Sequence, residues 1–197
     1  MAANYPEARC ALNYRNPWEL LVATILSAQC TDERVNLVTP LLFARYPDPL
    51  SMAKASLSDV EKIIRSTGFY RSKAKNLIEC ARSLVTKHGG DVPPRMEELV
   101  QLAGVGRKTA NVVLGNAFDI ASGVVVDTHV TRLSNRLGWV HTRDAVQIER
   151  ELNTLVPQRH WIMVSHWLIE HGRKICKARS PRCDLCFLSG LCPKVGV

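Results

Sequence analysis

Apolar residues recur three and four positions apart along nearly the whole chain, the period of a helix that buries one face. The stretch ELLVATILSAQ, Glu19 to Gln29, is apolar almost all round and predicts a central buried helix. Asn16, Pro17 and Glu19 mark its start: a capping side chain, proline at the first helical position, and an acid three residues after the cap. Thr31 or Asp32 is placed to cap the next helix, which Pro40 should break or kink. Ser58 and Glu61 form a capping-box pattern ahead of another helix that stops at Gly68. Ala74, Leu77, Ile78, Ala81, Leu84 and Val85 make a stripe that closes at Gly89. Pro93 and Pro94 are expected to open a short helix ending near Leu102. Ala110, Val113, Leu114 and Ala117 mark the next helix. Asp127 then caps a helix carrying Val130, Leu133 and Leu137 and closed by Gly138. Thr142 is expected to cap the one after, and a last long helix should run from Trp161 to His171 with Gly172 beyond it. Val124–Val126 is the only strand-like run, too short to build a sheet. The predicted fold class is all-α.

The length of 197 residues allows one domain or two small ones, and 46% hydrophobic content is ordinary for a globular core. No stretch nears the roughly 18 uninterrupted apolar residues of a membrane span, and MAANYPEARC lacks a basic-then-apolar leader, so a cytoplasmic protein is expected. A net charge of +8 favours a polyanionic partner, nucleic acid first, though a basic but ordinary enzyme fits as well. From Arg173 onward six cations stand against one acid, Asp184.

Two stretches carry chemistry. In LAGVGRKTANVV, Gly104 and Gly106 bracket Val105 in a tight turn where positive φ costs little. Arg107 and Lys108 follow, in the first turn of a helix. That end is positive, which repels a cation mildly and suits an anion. The residues alone favour a phosphate-binding lysine. In the tail, Cys176, Cys183, Cys186 and Cys192 are separated by six, two and five residues. Seven cysteines, an odd number, do not suit a secreted disulfide framework. One close pair flanked by two singles suits a [4Fe–4S] cluster better than zinc, whose sites tend to be two close pairs; zinc remains the alternative. Lys177, Arg179 and Arg182 would be held in the first gap, either as a phosphate-binding finger or merely offsetting an anionic cluster.

Together LLVATILSAQCTDERVN, GFYRSKAKN, LAGVGRKTANVVL, VVVDTHVTRLSNRLG and the cysteine spacing resemble the endonuclease III family of DNA glycosylases, of the helix-hairpin-helix superfamily, from about Pro17 to Cys192. The resemblance implies a six-helix domain with the hairpin over residues 11–121 and an iron–sulfur domain joining 1–10 to 122–197, flanking a DNA-binding cleft. It implies a monomer acting on double-stranded DNA with damaged pyrimidines or abasic sites, nucleoid-associated if bacterial, with a [4Fe–4S] cluster on the four cysteines. Lys108 matches the family's nucleophile and Asp127 its catalytic aspartate. Partial burial of Lys108, its neighbour Arg107, or the aspartate would have to keep the amine neutral. Gln29 matches the residue that enters the gap left by the flipped nucleotide. Phe69 falls where relatives often carry a leucine wedge. Gly104, Val105, Gly106 and Arg107 would meet a phosphate, with His129 a further phosphate contact, although a lone histidine is more often structural. Ala103 replaces the proline usual in the family's hairpin. Ile25 stands where adenine-removing relatives carry glutamate, and mismatch-specific relatives tend to replace the lysine. A monofunctional or mismatch-type glycosylase, or a non-catalytic binder of damaged DNA, are the other readings.

Overall fold

The computed structural model describes residues 1–197 and contains helices and turns but no β-strand. The chain divides into two compact units, residues 11–120 and residues 1–10 with 121–197.

The first unit is built round α1 (Pro17–Leu26), in which every residue from Trp18 to Leu26 is buried. Its cap forms as the sequence predicts: Asn16 Oδ1 accepts from the Glu19 N–H at 2.9 Å, with Pro17 at the first position. Glu19 is only 2% exposed, and its carboxylate accepts from the Arg15 backbone N–H and guanidinium. α2 (Asp32–Arg45) is capped by Thr31 and continues unbroken through Pro40. That proline is exposed, so water can reach the carbonyl that lost its partner. α3 (Pro49–Ala53) packs on α5, with α4 (Leu57–Ile64) and a 3-10 turn at Arg65–Thr67 leading into it. The Ser58–Glu61 box does not form. The helix starts two residues earlier, at Leu57 after Ser56, and Ser58 Oγ pairs with Ser56 Oγ instead. α5 (Tyr70–His88) buries its predicted stripe except for Val85, which is half-buried, and closes at Gly89 in the left-handed region. α6 (Met96–Leu99) starts after Arg95, so the two prolines lie before it rather than open it. α7 (Arg107–Phe118) packs on α6 and α1.

The second unit contains α8 (Thr128–Arg136), α9 (Ala145–Leu155) and α10 (Trp161–Lys174). Val124, Val130, Leu133, Ile148, Leu152 and Leu168 form the centre of its core. Asp127 caps α8 through Oδ1, 2.8 Å from the Val130 N–H. Asp144, not Thr142, caps α9; its Oδ1 accepts from Gln147, while the threonine hydroxyl accepts from the Asp144 N–H. α10 continues past His171 because Gly172 lies inside it, where α8 approaches too closely for a side chain. A Cβ there would lie 2.8 Å from His129 Nδ1. None of the helices is long and apolar enough to cross a membrane.

Candidate nucleic-acid interface and metal centre

In residues 11–120 the hairpin between α6 and α7 is anchored by buried Leu102 and Val105, whose N–H donates to the Leu102 carbonyl at 3.1 Å. Val105 therefore offers a ligand no side chain and no spare N–H. Gly104 adopts φ +78°, and a Cβ there would sit 3.0 Å from the Asn76 side chain, so both conformation and space require glycine. Gly106 does not share that need. Its φ is −94° with open space around it, and its value is that a glycine N-cap has no side chain to consume the first N–H groups of α7. No acid lies in that first turn. Arg107 and Lys108 are exposed there, so the partial burial expected for Lys108 is not found.

Two further residues stand out on the backbone. Gln29 (φ 53°) and Phe69 (φ 47°) are both left-handed, although neither is glycine. Both are exposed, Phe69 by 64%, and it forms the N-cap of α5 without any capping bond from its side chain. Such conformations cost about 1–2 kcal/mol each and persist where the surroundings over-determine them.

In the second unit Asp127 is half-buried, with Oδ1 committed to the cap and Oδ2 making no hydrogen bond. His129 Nδ1 lies 3.1 Å from Arg132 Nη2, and burial pushes the imidazole below its ordinary value. Its ring is thus tied into the α8–α10 contact.

The four cysteines Cys176, Cys183, Cys186 and Cys192 line one cavity with apolar walls that include Leu133 and Leu188. No three of the chain's thiols, imidazoles or carboxylates converge closely enough to hold a single metal ion. A pocket lined by four thiols suits a multinuclear iron–sulfur cluster. Burial, then the other three cysteines, push the Cys186 thiol above its ordinary value, so four thiolates can share this space only around a cationic centre. Arg136 Nη1 donates to Cys176 Sγ at 3.3 Å and to the Lys177 carbonyl at 2.7 Å, and Nη2 reaches the Ala178 carbonyl. Arg132 holds the Cys176 carbonyl through Nε and Nη2. Buried His171 lies 3.3 Å from Cys186 Sγ through Nε2 and 2.6 Å from the Tyr5 hydroxyl through Nδ1. The loop bearing exposed Lys177, Arg179 and Arg182 is therefore fixed from below by two arginines. Sequence reading missed both arginines and His171. Their only signal was a basic pair one turn apart, on a helix face next to apolar Leu133 and Leu137.

A glycine hairpin opening a helix, in a chain whose tail is a four-thiol pocket, defines an iron–sulfur protein of the helix-hairpin-helix class. Residues 22–158 match the profile of the HhH-GPD superfamily base excision DNA repair proteins, and residues 176–192 that of the iron–sulfur binding domain of endonuclease III. Over 189 residues the chain is 56% identical to endonuclease III of Synechocystis sp., covering 96% of this chain and 86% of that protein. It is 42% identical to endonuclease III of Escherichia coli over 189 residues, covering 96% and 89%. A structure of a trapped endonuclease III–DNA covalent intermediate superposes with a TM-score of 0.92 at 45% identity, covering 98% of this chain and 91% of that one. A thermostable thymine-DNA glycosylase superposes at 0.87 with 26% identity, covering 98% and 91%. The chain belongs to the endonuclease III family of base excision DNA repair proteins, and its four-cysteine tail is a [4Fe–4S] site.

Proposed function

We propose that this protein is a bifunctional DNA glycosylase and abasic-site lyase that removes oxidised pyrimidines from double-stranded DNA, acting as a monomer in the cytoplasm. The observation that carries the reading is the position of Lys108. Its amine is exposed in the first turn of α7, next to a glycine N-cap suited to receive a phosphate.

A base inside duplex DNA is out of reach of any side chain, so the damaged nucleotide must leave the stack. Gln29 and Phe69 would occupy the space it vacates. Gly104, Gly106 and Arg107 would hold a backbone phosphate, and Lys177, Arg179 and Arg182 others. The neutral Lys108 amine attacks C1′, and the C1′–N bond breaks with its electron pair leaving on the base, which takes up a proton. The adduct opens to an imine between Lys108 and C1′. Loss of a C2′ proton then sends electrons toward C3′, and the C3′–O bond breaks with release of the 3′ phosphate. Water hydrolyses the imine and restores the amine. The uncommitted Oδ2 of Asp127 would take the amine proton or offset the positive charge that develops on the sugar as the base departs. Because Lys108 is exposed in the free protein, the desolvation that favours a neutral amine must come from bound DNA.

These steps transfer no net electrons, so the cluster's part is structural. When bound, it would tie the two ends of the cationic loop to the core of its unit.

Borohydride trapping on abasic duplex DNA tests the reading. The wild type is expected to form a covalent adduct and Lys108→Ala none. Duplexes carrying thymine glycol or dihydrouracil should be cleaved without alkali. Cleavage only after alkali would show base removal without lyase action, and tight binding with neither would leave a non-catalytic binder.

A further inference from the structure

Lys73 is 4% exposed, in the first turn of α5, yet its ammonium has no carboxylate partner. It donates instead to two backbone carbonyls at 2.8 Å each: Leu26 O, at the end of α1, and Thr67 O, at the end of the 3-10 turn. These carbonyls lie just before Gln29 and Phe69, two of the chain's five non-glycine residues with positive φ. The Lys73 N–H also donates to the Phe69 carbonyl at 3.1 Å. One residue therefore touches both loops, which are separated by some forty residues of chain but meet at one nitrogen.

Burial pushes the ammonium below its ordinary value, with the Cys30 thiol acting in the opposite direction. A methionine of similar length would fill the same volume without that desolvation cost. The cation is useful only if the two carbonyls have to be held, since a helix end otherwise turns its last carbonyls to water. α5 also sets the hairpin, because the Asn76 side chain, three residues beyond Lys73, abuts Gly104.

We infer that Lys73 is a positioning residue that clamps the Gln29 and Phe69 loops to each other, fixing the spacing at which their side chains enter the gap in the duplex. The inference rests on the proposed insertion of those two side chains. It acts through geometry alone: Lys73 meets neither DNA nor reacting atoms. Without the ammonium the two carbonyls separate toward water, the tips relax from their left-handed conformations, and the two side chains no longer arrive together.

The test uses the cluster-loaded protein and an abasic duplex with 2-aminopurine as the orphan base, whose fluorescence rises when it is unstacked. Trapping on a single-stranded abasic oligonucleotide, which needs no insertion, reports the chemistry separately. Lys73→Met is expected to reduce the fluorescence rise and slow trapping on the duplex by about 10–100-fold, the scale of a misplacement near 1 Å. Single-strand trapping should stay within about twofold of wild type, because the misplaced groups are not needed there. Lys73→Gln, which can reach one carbonyl, should fall between, and it decides by the same criteria if Lys73→Met does not fold. A wild-type fluorescence rise in either folded variant overturns the clamp. So does a parallel loss on single and double strands, which would make Lys73 a general support of the fold. If Gln29→Ala and Phe69→Ala both leave the fluorescence rise unchanged, the insertion reading itself fails, and the clamp with it.

Discussion

Replacing Gly172 by alanine sets two opposed effects against each other. Within a helix, alanine is intrinsically better than glycine by about 1 kcal/mol, so propensity alone predicts a more stable protein. The packing says otherwise. The added Cβ would lie 2.8 Å from His129 Nδ1, 2.9 Å from Arg132 Nη2 and 3.2 Å from Leu133 Cδ1, all inside the roughly 3.5 Å of an unstrained contact. Arg132 Nη2 ends a long side chain and His129 Nδ1 sits on a ring, but neither is free to swing. Arg132 Nη2 also donates to the Gly172 carbonyl at 3.1 Å and the Cys176 carbonyl at 3.0 Å, and it holds His129 Nδ1. Moving it gives up bonds from a charged donor worth about 1.5–3 kcal/mol each, and overpacking typically costs about 1–3 kcal/mol. The net expectation for Gly172→Ala is a loss of about 1–2 kcal/mol once the propensity gain is deducted. Thermal unfolding of the cluster-loaded protein should then show a Tm lower by a few degrees, and amides of α8 should exchange faster. Activity should fall too, because α8 is the helix that Asp127 caps. A variant as stable as the wild type, or more so, would show that His129 and Arg132 yield freely and that close approach is not why glycine stands there.

Asp127 has two roles that substitution can separate. Asparagine caps a helix about as well as aspartate, so Asp127→Asn should keep stability within a few tenths of a kcal/mol while turnover drops by about 10²–10⁴-fold; Asp127→Ala should lose about 1 kcal/mol as well. A fully active Asp127→Asn, assayed on lesion duplex, would reduce the residue to a cap. Burial pushes the Cys80 thiol up to about 12 from 9.0. The folded chain thus holds a proton the unfolded one releases, so this contribution to stability is complete below pH 9.0 and is lost as pH rises toward about 12. The Tm should fall across that range, and alkylation at pH 8 should spare Cys80 until the protein unfolds. Stoichiometric labelling of Cys80 in the native protein would contradict the burial argument.

The fold was legible wherever a short stretch settles its own conformation. Helical period alone placed α1, α5 and α8, because burying a stripe is a property of one segment. Asn16 and Asp127 were readable as caps because the bond spans three residues. Where two caps competed within a few residues, sequence chose wrongly. Ser58 and Thr142 fit the pattern, but the helices began at Leu57, after Ser56, and at Ala145, after the capping Asp144. The four cysteines were visible through their spacing as a metal site, and as a cluster rather than a zinc ion; the structure added that all four line one pocket.

Long-range choices were not legible at all. Nothing near Lys73 in sequence says that its amine meets a carbonyl 47 residues away, and Arg136 meets Cys176 across 40. Gly172 reads locally as a helix stop, and only the approach of α8 makes it a helix interior. The sequence by itself determined the long helices, several of their caps, the lysine turn and the cysteine set, since these follow from interactions within a turn or two of chain; the short α3 (Pro49–Ala53) was not foreseen. The tertiary structure decided which buried charges brace which loops and where glycine is forced by a neighbour, because those depend on atoms that chain order keeps far apart and only packing brings within 3 Å or so of one another.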